Sequence, residues 1–189
     1  MPIPKQTSDI FELLSKGQFI CSNSGDDKLR KLYIIADENF DDLYDYFISI
    51  NFILEKGDEY FMFTRKENKT DLERKLEAAF KWIDILDFFK TFDNSFGSGY
   101  RFTPSDILVK LSVDADLKIK LEGLKKYAQG KEKHADILDK ILDILEKDSF
   151  IDLENEISNS YKALASFNYM EQLILSINIP EAVVNEIPE

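Results

Sequence analysis

Residues 50–64, INFILEKGDEYFMFT, hold two apolar runs on either side of the short turn Lys56-Gly57-Asp58. Both runs are rich in aromatic and β-branched residues, and a glycine-containing turn between two such runs is typical of a β-hairpin. Successive positions are apolar in each run, so both faces of the predicted hairpin are apolar. One face can cover its own domain, and the other needs a further apolar surface.

Upstream of this hairpin, the sequence predicts in chain order a helix, a strand and two further helices. Residues 40–50 carry apolar side chains at helical spacing, and Asp26 can begin the helix before them. Residues 18–21 indicate a short strand, and residues 8–17 indicate a short helix that ends at a glycine. Helix, strand, helix, helix and hairpin are the elements of a winged helix. We therefore predict an N-terminal winged helix over residues 1–69.

Downstream of the hairpin, a long helix is predicted to run from Thr70 to about Phe92. Thr70 and Glu73 have the spacing of a capping box. The segment from Trp82 to Phe92 is apolar on nearly all sides, which is typical of a helix that is buried all round. We interpret residues 70–99 as a connecting helix and loop, with contact between two subunits as the alternative use of the apolar segment.

The rest of the chain is predicted to repeat the order of helices and hairpin found in residues 1–69. The two segments share this order but no repeat of individual residues. Thr103-Pro104, Asp114 and Lys133 begin three predicted helices, and two β-rich runs at 150–153 and 161–165 predict a second hairpin. A last helix is predicted from about Asn168 to Ile177. Residues 100–189 then form a C-terminal winged helix with a final helix and tail. The predicted fold class is mainly α with small β-hairpins (α+β), as tandem winged-helix domains joined by a long helix.

Composition excludes several function classes. Lys plus Arg number 24 and Asp plus Glu number 36, a net charge of −12, which disfavours a DNA binder with a basic surface throughout. No apolar run could span a membrane, and residues 1–14 do not have the pattern of a secretory signal. With one cysteine, Cys21, we expect a protein of the reducing cytoplasm. A single histidine, His134, disfavours zinc and triad chemistry, so we expect no catalytic residue, metal or cofactor.

The helices that would read DNA in a winged helix are acidic here. In the N-terminal module, the helix before the hairpin carries Asp41, Asp42 and Asp45 with no Lys or Arg. The corresponding helix of the C-terminal module carries three Asp beside Lys140. DNA phosphates repel such helices, so the modules are predicted to bind protein. A basic cluster elsewhere is the candidate for weak DNA contact, with an ordinary solvated surface as the alternative. Its residues are Lys118, Lys125, Lys126, Lys131 and Lys133.

Four segments carry a resemblance that extends over almost the whole chain. They are FICSNS (19–24), the hairpin INFILEKGDEYFMFTRKE (50–67), KWIDILDFF (81–89) and LENEISNSYKALASFNYMEQLILSINIPE (153–181). In these segments the sequence resembles the MksE-type subunits of bacterial condensin-like complexes, which are related to MukE.

The resemblance implies a non-catalytic "kite" subunit built from tandem winged helices. Such subunits form homodimers and bind the kleisin subunit that bridges an SMC-type ATPase. The complex organises and segregates chromosomes or acts in plasmid defence, and some relatives contact DNA while the ring of the complex is closed on it. The resemblance therefore implies a nucleoid-associated location in the cytoplasm. A winged-helix transcription regulator is the alternative function, and a metabolic enzyme is a more distant one.

Candidate contact residues follow from the apolar pattern. Aromatic residues and Met are enriched in interface cores, so we predict a kleisin-binding surface on the second hairpin and last helix, with burial in the core as the alternative. Its residues are Tyr161, Phe167, Tyr169 and Met170. The homodimer interface is predicted on the first hairpin and the long helix, at Phe61, Phe63, Trp82 and Phe89.

Overall fold

A computed structural model describes residues 3–64 and 69–176, with side chains described in the long helix from residue 78 and in the last helix up to residue 173. The predicted Thr70–Glu73 capping box and the C-terminal tail lie outside the described side chains. The helices are α1 (Thr7–Ser15), α2 (Asp27–Glu38), α3 (Phe40–Ser49), α4 (Lys69–Phe92), α5 (Pro104–Leu111), α6 (Ala115–Gly123), α7 (His134–Lys147) and α8 (Phe167–Ser176). The strands are β1 (Ile20–Cys21), β2 (Ile53–Lys56), β3 (Tyr60–Thr64), β4 (Arg101–Phe102), β5 (Ile151–Asn155) and β6 (Ser160–Ala163). The α+β class is confirmed.

The N-terminal half is a three-helix layer on a small antiparallel sheet. Strand order is β1-β3-β2, and the predicted hairpin forms with Leu54 opposite Phe63. Asp26 caps α2 as predicted, since its carboxylate accepts a hydrogen bond from Lys28 N at 2.7 Å. Helix α3 buries Leu43 and Phe47, one turn apart, against this sheet. One of the two apolar faces of the hairpin is therefore buried in the N-terminal core.

The C-terminal half contains a second three-stranded antiparallel sheet, in the order β4-β6-β5. Strand β4 was not predicted, because two residues are too short to show periodicity. Thr103 caps α5 with a capping box to Asp106, and Asp114 caps α6. The helix that Asp114 caps is short: α6 ends at Gly123, and residues 124–127 form a 3₁₀ turn. Glycine is a poor helix former, which favours that break.

Helix α4 is enclosed by the C-terminal half over its second part. Ile85, Phe88 and Phe89 are fully buried, and the helix packs against α6 and α8. Trp82 packs edge-on against Phe150 at 4.8 Å between ring centroids. Burial within one chain therefore accounts for the apolar character on all sides, without a second subunit.

Candidate partner-binding surface

The structure separates the four predicted kleisin-binding residues into two pairs. Phe167 and Met170 are fully buried in the C-terminal core, whereas Tyr161 and Tyr169 are half-buried. Phe167 packs against Phe96 at 5.3 Å between ring centroids. As placed, Phe167 and Met170 present no surface to a partner. The alternative of burial in the core therefore applies to Phe167 and Met170. Of the four residues, only Tyr161 and Tyr169 keep side-chain area that a partner could contact.

Tyr161 lies on β6 beside the acidic face of α7. Its ring stacks on Phe102 of β4, with 5.8 Å between centroids and 22° between planes. Burial raises the pKa of the Tyr161 hydroxyl, and the nearby carboxylates of Glu146, Asp139 and Asp143 raise it further. A partner that reaches this ring therefore meets negative charge.

Tyr169 lies at the junction between the two halves of the chain. Its ring is 5.3 Å from that of Phe19 and 6.2 Å from that of Tyr60, both in the N-terminal half. Phe19 is in turn 5.3 Å from the ring of Phe150. Aromatic pairs at these separations add to the energy of area burial. The four rings therefore join the first hairpin to α8.

A cleft of about 310 Å³ opens beside this aromatic junction. It is bounded by the tip of the first hairpin on one side and by one face of α8 on the other. Its lining residues are Glu55, Lys56, Gly57, Tyr60, Tyr169, Gln172 and Leu173. The cleft is at the small end of ligand-sized sites, and it has room for one or two side chains of a docked segment. We call it the hairpin–α8 cleft.

Gly57 has a specific role in the shape of the hairpin–α8 cleft. A Cβ atom at this position would lie 2.0 Å from Cζ of Tyr60, so a larger residue would displace the Tyr60 ring. Lys56 at the rim forms an ion pair with Asp37, at 2.5 Å between Nζ and Oδ1. Periodicity did not identify this site, because its two walls are more than 100 residues apart in the sequence. The glycine turn at the hairpin tip was the one local signal.

Hydrogen bonds fix the two halves together beside the aromatic junction. The carboxylate of Asp152 accepts from Ser24 Oγ and from Gly25 N, each at 2.7 Å. The Asn23 side chain accepts from Ala165 N at 2.9 Å and donates to Ala163 O at 3.4 Å. We call this contact, between the 23–25 turn and residues 152, 163 and 165, the inter-half latch.

The predicted dimer residues are largely used inside the chain. Phe61 and Phe89 are fully buried, and Trp82 is almost so, while Phe63 is half-buried. Phe61 packs in the N-terminal core against Tyr33, with 5.2 Å between ring centroids. Of the four, Phe63 alone retains substantial exposed area. The prediction of a homodimer can no longer rest on Phe61 and Phe89.

The five lysines predicted to contact DNA differ in their surroundings. Lys126 forms an ion pair with Asp84 at 2.7 Å, and Lys125 forms one with Glu132. The other three are exposed and form no ion pair with the side chains that the structure describes. They are Lys118, Lys131 and Lys133. The free positive charge is therefore smaller than the sequence indicates.

Among the described side chains, those of residues 3–64 and 78–173, no three or more His, Cys, Asp or Glu residues are arranged to hold a metal ion. Within the described parts of the chain, no helix combines the length and the apolar character needed to cross a membrane. Cys21 is buried at the junction of the halves, and burial raises the pKa of its thiol to about 11.

Comparison with known proteins identifies the family to which the chain belongs. Residues 5–174 match a family described as condensin complex protein MksE, whose members are components of a multi-subunit complex. This match includes both sheets and the hairpin–α8 cleft. The chain therefore belongs to the MksE family. Neither the curated proteins nor the solved structures gave a significant match.

Proposed function

We propose that the chain is the non-catalytic, kite-type subunit of a bacterial condensin-like complex. It binds the kleisin and, through it, an SMC-type ATPase, and it supports chromosome organisation and segregation or plasmid defence. The observation that carries this proposal is the MksE family match over residues 5–174.

The strand order supports the proposal that both halves are winged helices. In each half a short first strand pairs with the second strand of the hairpin, giving β1-β3-β2 and β4-β6-β5. Two helices, α2 and α3, lie between β1 and its hairpin. In the C-terminal half three helices, α5 to α7, occupy the corresponding interval. If both halves are winged helices, the C-terminal one has one more helix between its first strand and its hairpin than the N-terminal one.

The surface of α3 disfavours the alternative function of a transcription regulator. Asp41 and Asp45 are exposed on this helix, which has no Lys or Arg. A helix that reads the major groove must approach phosphates, and these carboxylates would be repelled. Protein binding is consistent with this charge.

For the kleisin contact, we propose the hairpin–α8 cleft together with the exposed edge of Tyr161. Large aromatic side chains that a partner desolvates on binding often dominate the binding energy of an interface. The buried residues Phe167 and Met170 have a different role, since they hold α8 on the core and so position Tyr169 at the cleft. The cleft is bounded by both halves, so one kleisin segment can contact both.

Co-purification with the kleisin encoded beside the gene tests the assignment. We expect a stable complex with the wild-type chain, weakened at least about tenfold by Tyr169→Ala if that ring is an anchor. Tyr127→Ala is the matched control. Tyr127 is also half-buried in the C-terminal half, but its hydroxyl donates to Asp84 at 2.6 Å, outside the cleft.

Two outcomes separate the assignment from the placement. If the wild-type chain binds no kleisin, the proposed function fails. If Tyr169→Ala and Tyr161→Ala both fold, by circular dichroism, and bind the kleisin with unchanged affinity, only the placement of the contact is wrong.

A further inference from the structure

The side chain of Tyr60 is deeply buried, but its hydroxyl has no hydrogen bond. Tyr60 is 4% exposed, and its ring packs against those of Phe19 and Tyr169. Within the part of the chain that the structure describes, no donor or acceptor is bonded to the hydroxyl. Most buried polar groups in folded proteins are bonded, because an unbonded one is unfavourable. A hydrogen-bonding group brought by a binding partner would remove this cost.

The Tyr60 hydroxyl opens into the hairpin–α8 cleft. Among the described side chains, every fully buried polar atom has a hydrogen-bond partner, so this unbonded hydroxyl must reach solvent. A Cβ atom on Gly57 would lie 2.4 Å from the hydroxyl oxygen, and both residues line the cleft. The small exposed part of Tyr60 therefore includes its polar end, at the wall of the cleft.

The charge around this hydroxyl is negative. Burial is the first cause that raises the pKa of the Tyr60 hydroxyl, and the carboxylates of Glu55 and Asp58 contribute to the rise. Of the lining residues that the structure describes, Lys56 alone is positively charged, and it is paired with Asp37. The cleft therefore favours an occupant that carries positive charge and can bond to a hydroxyl.

An arginine side chain matches this combination of groups. A guanidinium has several N–H donors and a positive charge, so it can donate to the Tyr60 hydroxyl while its charge lies close to Glu55. The half-buried ring of Tyr169 lines the cleft and offers an aromatic face to the guanidinium, and Leu173 offers an apolar surface to the stem. An acidic side chain would be repelled, and an apolar one would leave the hydroxyl without a partner.

We propose that the hairpin–α8 cleft binds an arginine side chain of the kleisin. The guanidinium donates to the Tyr60 hydroxyl and packs on the ring of Tyr169, and its charge is balanced by Glu55 and Asp58. Lysine fits less well, because its compact ammonium does not present a flat face to a ring. The inference rests on the proposed function for the identity of the partner, and it adds the residue type that the cleft recognises.

A double-mutant cycle with the kleisin measures this contact. Each arginine of the kleisin is changed in turn to methionine, which keeps an unbranched stem, and calorimetry gives its affinity for the wild-type chain and for Tyr60→Phe. We expect Tyr60→Phe to weaken binding of the unchanged kleisin at least about tenfold, since it removes a hydrogen bond to a charged group. One arginine change should weaken binding to the wild-type chain as much, and its effect on Tyr60→Phe should be clearly smaller.

Two controls separate binding from folding. Tyr44→Phe removes a hydroxyl from a half-buried tyrosine of the same half that does not line the cleft, and it should leave the affinity unchanged. Tyr60→Phe should not lower the midpoint of urea unfolding, because its hydroxyl has no partner in the free chain. A lowered midpoint would show an internal role for the hydroxyl and would overturn the inference.

A change at Glu55 tests the charge of the cleft. Glu55→Gln keeps an oxygen that can accept from Thr64 Oγ1, which donates to Glu55 at 2.6 Å in the wild-type chain. We expect this variant to bind the kleisin more weakly and with a smaller dependence on salt. Asp45→Asn removes an exposed charge of the same half outside the cleft, and it should change neither quantity.

Small probes test the cleft without a kleisin. The probes are the N-acetyl methylamides of arginine, lysine and norleucine, each titrated into the full chain and followed by heteronuclear NMR. We expect the arginine probe to shift the amide signals of Gly57 and Tyr60 at a lower concentration than the other two. The same probe should shift them much less in Tyr60→Phe. Equal shifts from the three probes, or no shift from any of them, overturn the inference.

The outcomes distinguish this inference from the proposed function. If the kleisin binds but none of its arginines couples to Tyr60, the inference is wrong and the proposed function stands. If the wild-type chain binds no kleisin, the proposed function fails, and the three small probes decide whether the cleft recognises arginine.

Discussion

Asp93 organises the loop between α4 and β4 through three hydrogen bonds. Its Oδ1 accepts from Ser95 N at 2.8 Å and from Ser95 Oγ at 2.7 Å, and its Oδ2 accepts from the Tyr100 hydroxyl at 2.8 Å. The bonds from Ser95 come first among the causes that lower the pKa of Asp93 to about 2. The loop holds Phe96 in a stack on Phe89, with 4.5 Å between centroids.

This carboxylate makes folding stability depend on pH in the acid range. Because the folded pKa is below the ordinary value of 3.8, Asp93 stabilises the fold above about pH 4, and this contribution is lost as pH falls towards 2. We expect Asp93→Asn to flatten the pH dependence of the unfolding free energy between about 4 and 2, as measured by urea titration. An unchanged slope would contradict the role given to Asp93. Asp58→Asn, at an exposed turn residue, is the control.

Single-residue signals differ in how well the sequence predicts them. Asp26, Thr103 and Asp114 were identified as helix starts, because a cap bonds backbone groups only two or three residues away. Phe167 and Tyr169 could not be separated in the same way. Both are aromatic residues of one short helix, and which of them is buried depends on α4 and the first hairpin, far away in the sequence.

At the scale of elements, local pattern predicted the hairpins and most helices. Each hairpin is decided by residues within 15 positions, and each helix by its own apolar stripe. The inter-half latch is different, because its two sides are 127 to 142 residues apart in the sequence. No period or turn residue links Asn23 to Ala165, so this contact and the cleft beside it required the structure.

The latch makes a prediction about stability. Asp152→Ala leaves the hydroxyl of Ser24, which is 1% exposed, and the Gly25 N–H without their acceptor. A buried polar group that loses its partner costs about 1–3 kcal/mol, so we expect a loss of that size in the unfolding free energy. Chemical denaturation measures it, and Asp58→Ala should change it little. A fully stable Asp152→Ala variant would mean that the latch does not hold the halves together.

For the whole molecule, the net charge of −12 limits any contact with DNA. Two of the five candidate lysines are already paired, so about three phosphate contacts remain for Lys118, Lys131 and Lys133. Three contacts give a salt slope near −2.7, and affinity should then fall about 40-fold between 50 and 200 mM salt. Fluorescence anisotropy with two DNA duplexes of unrelated sequence measures the affinity at each salt concentration. Tight, sequence-specific or salt-insensitive binding would contradict it.

The homodimer prediction now rests on a different part of the surface. Phe61 and Phe89 are buried, but Phe80 on α4 is 58% exposed, and it continues the apolar stripe that the sequence shows at Leu72, Leu76 and Ile83. Aromatic residues are enriched in the cores of subunit interfaces, so Phe80 is a candidate for such a contact. The side chains of residues 69–77 lie outside those described, so Phe80 is the point at which the stripe can be tested.

We expect Phe80→Ser to shift the protein from dimer to monomer. The change removes apolar area from an exposed position, so the fold should remain intact while the dimer dissociation constant rises at least about tenfold. Light scattering over a concentration series measures the mass, and circular dichroism reports the fold. Ile119→Ser, at another exposed apolar residue on a helix, is the control and should leave the mass unchanged. If the wild-type chain is a stable monomer at micromolar concentration, the homodimer prediction is wrong. If Phe80→Ser remains a dimer of wild-type affinity, the subunits meet elsewhere.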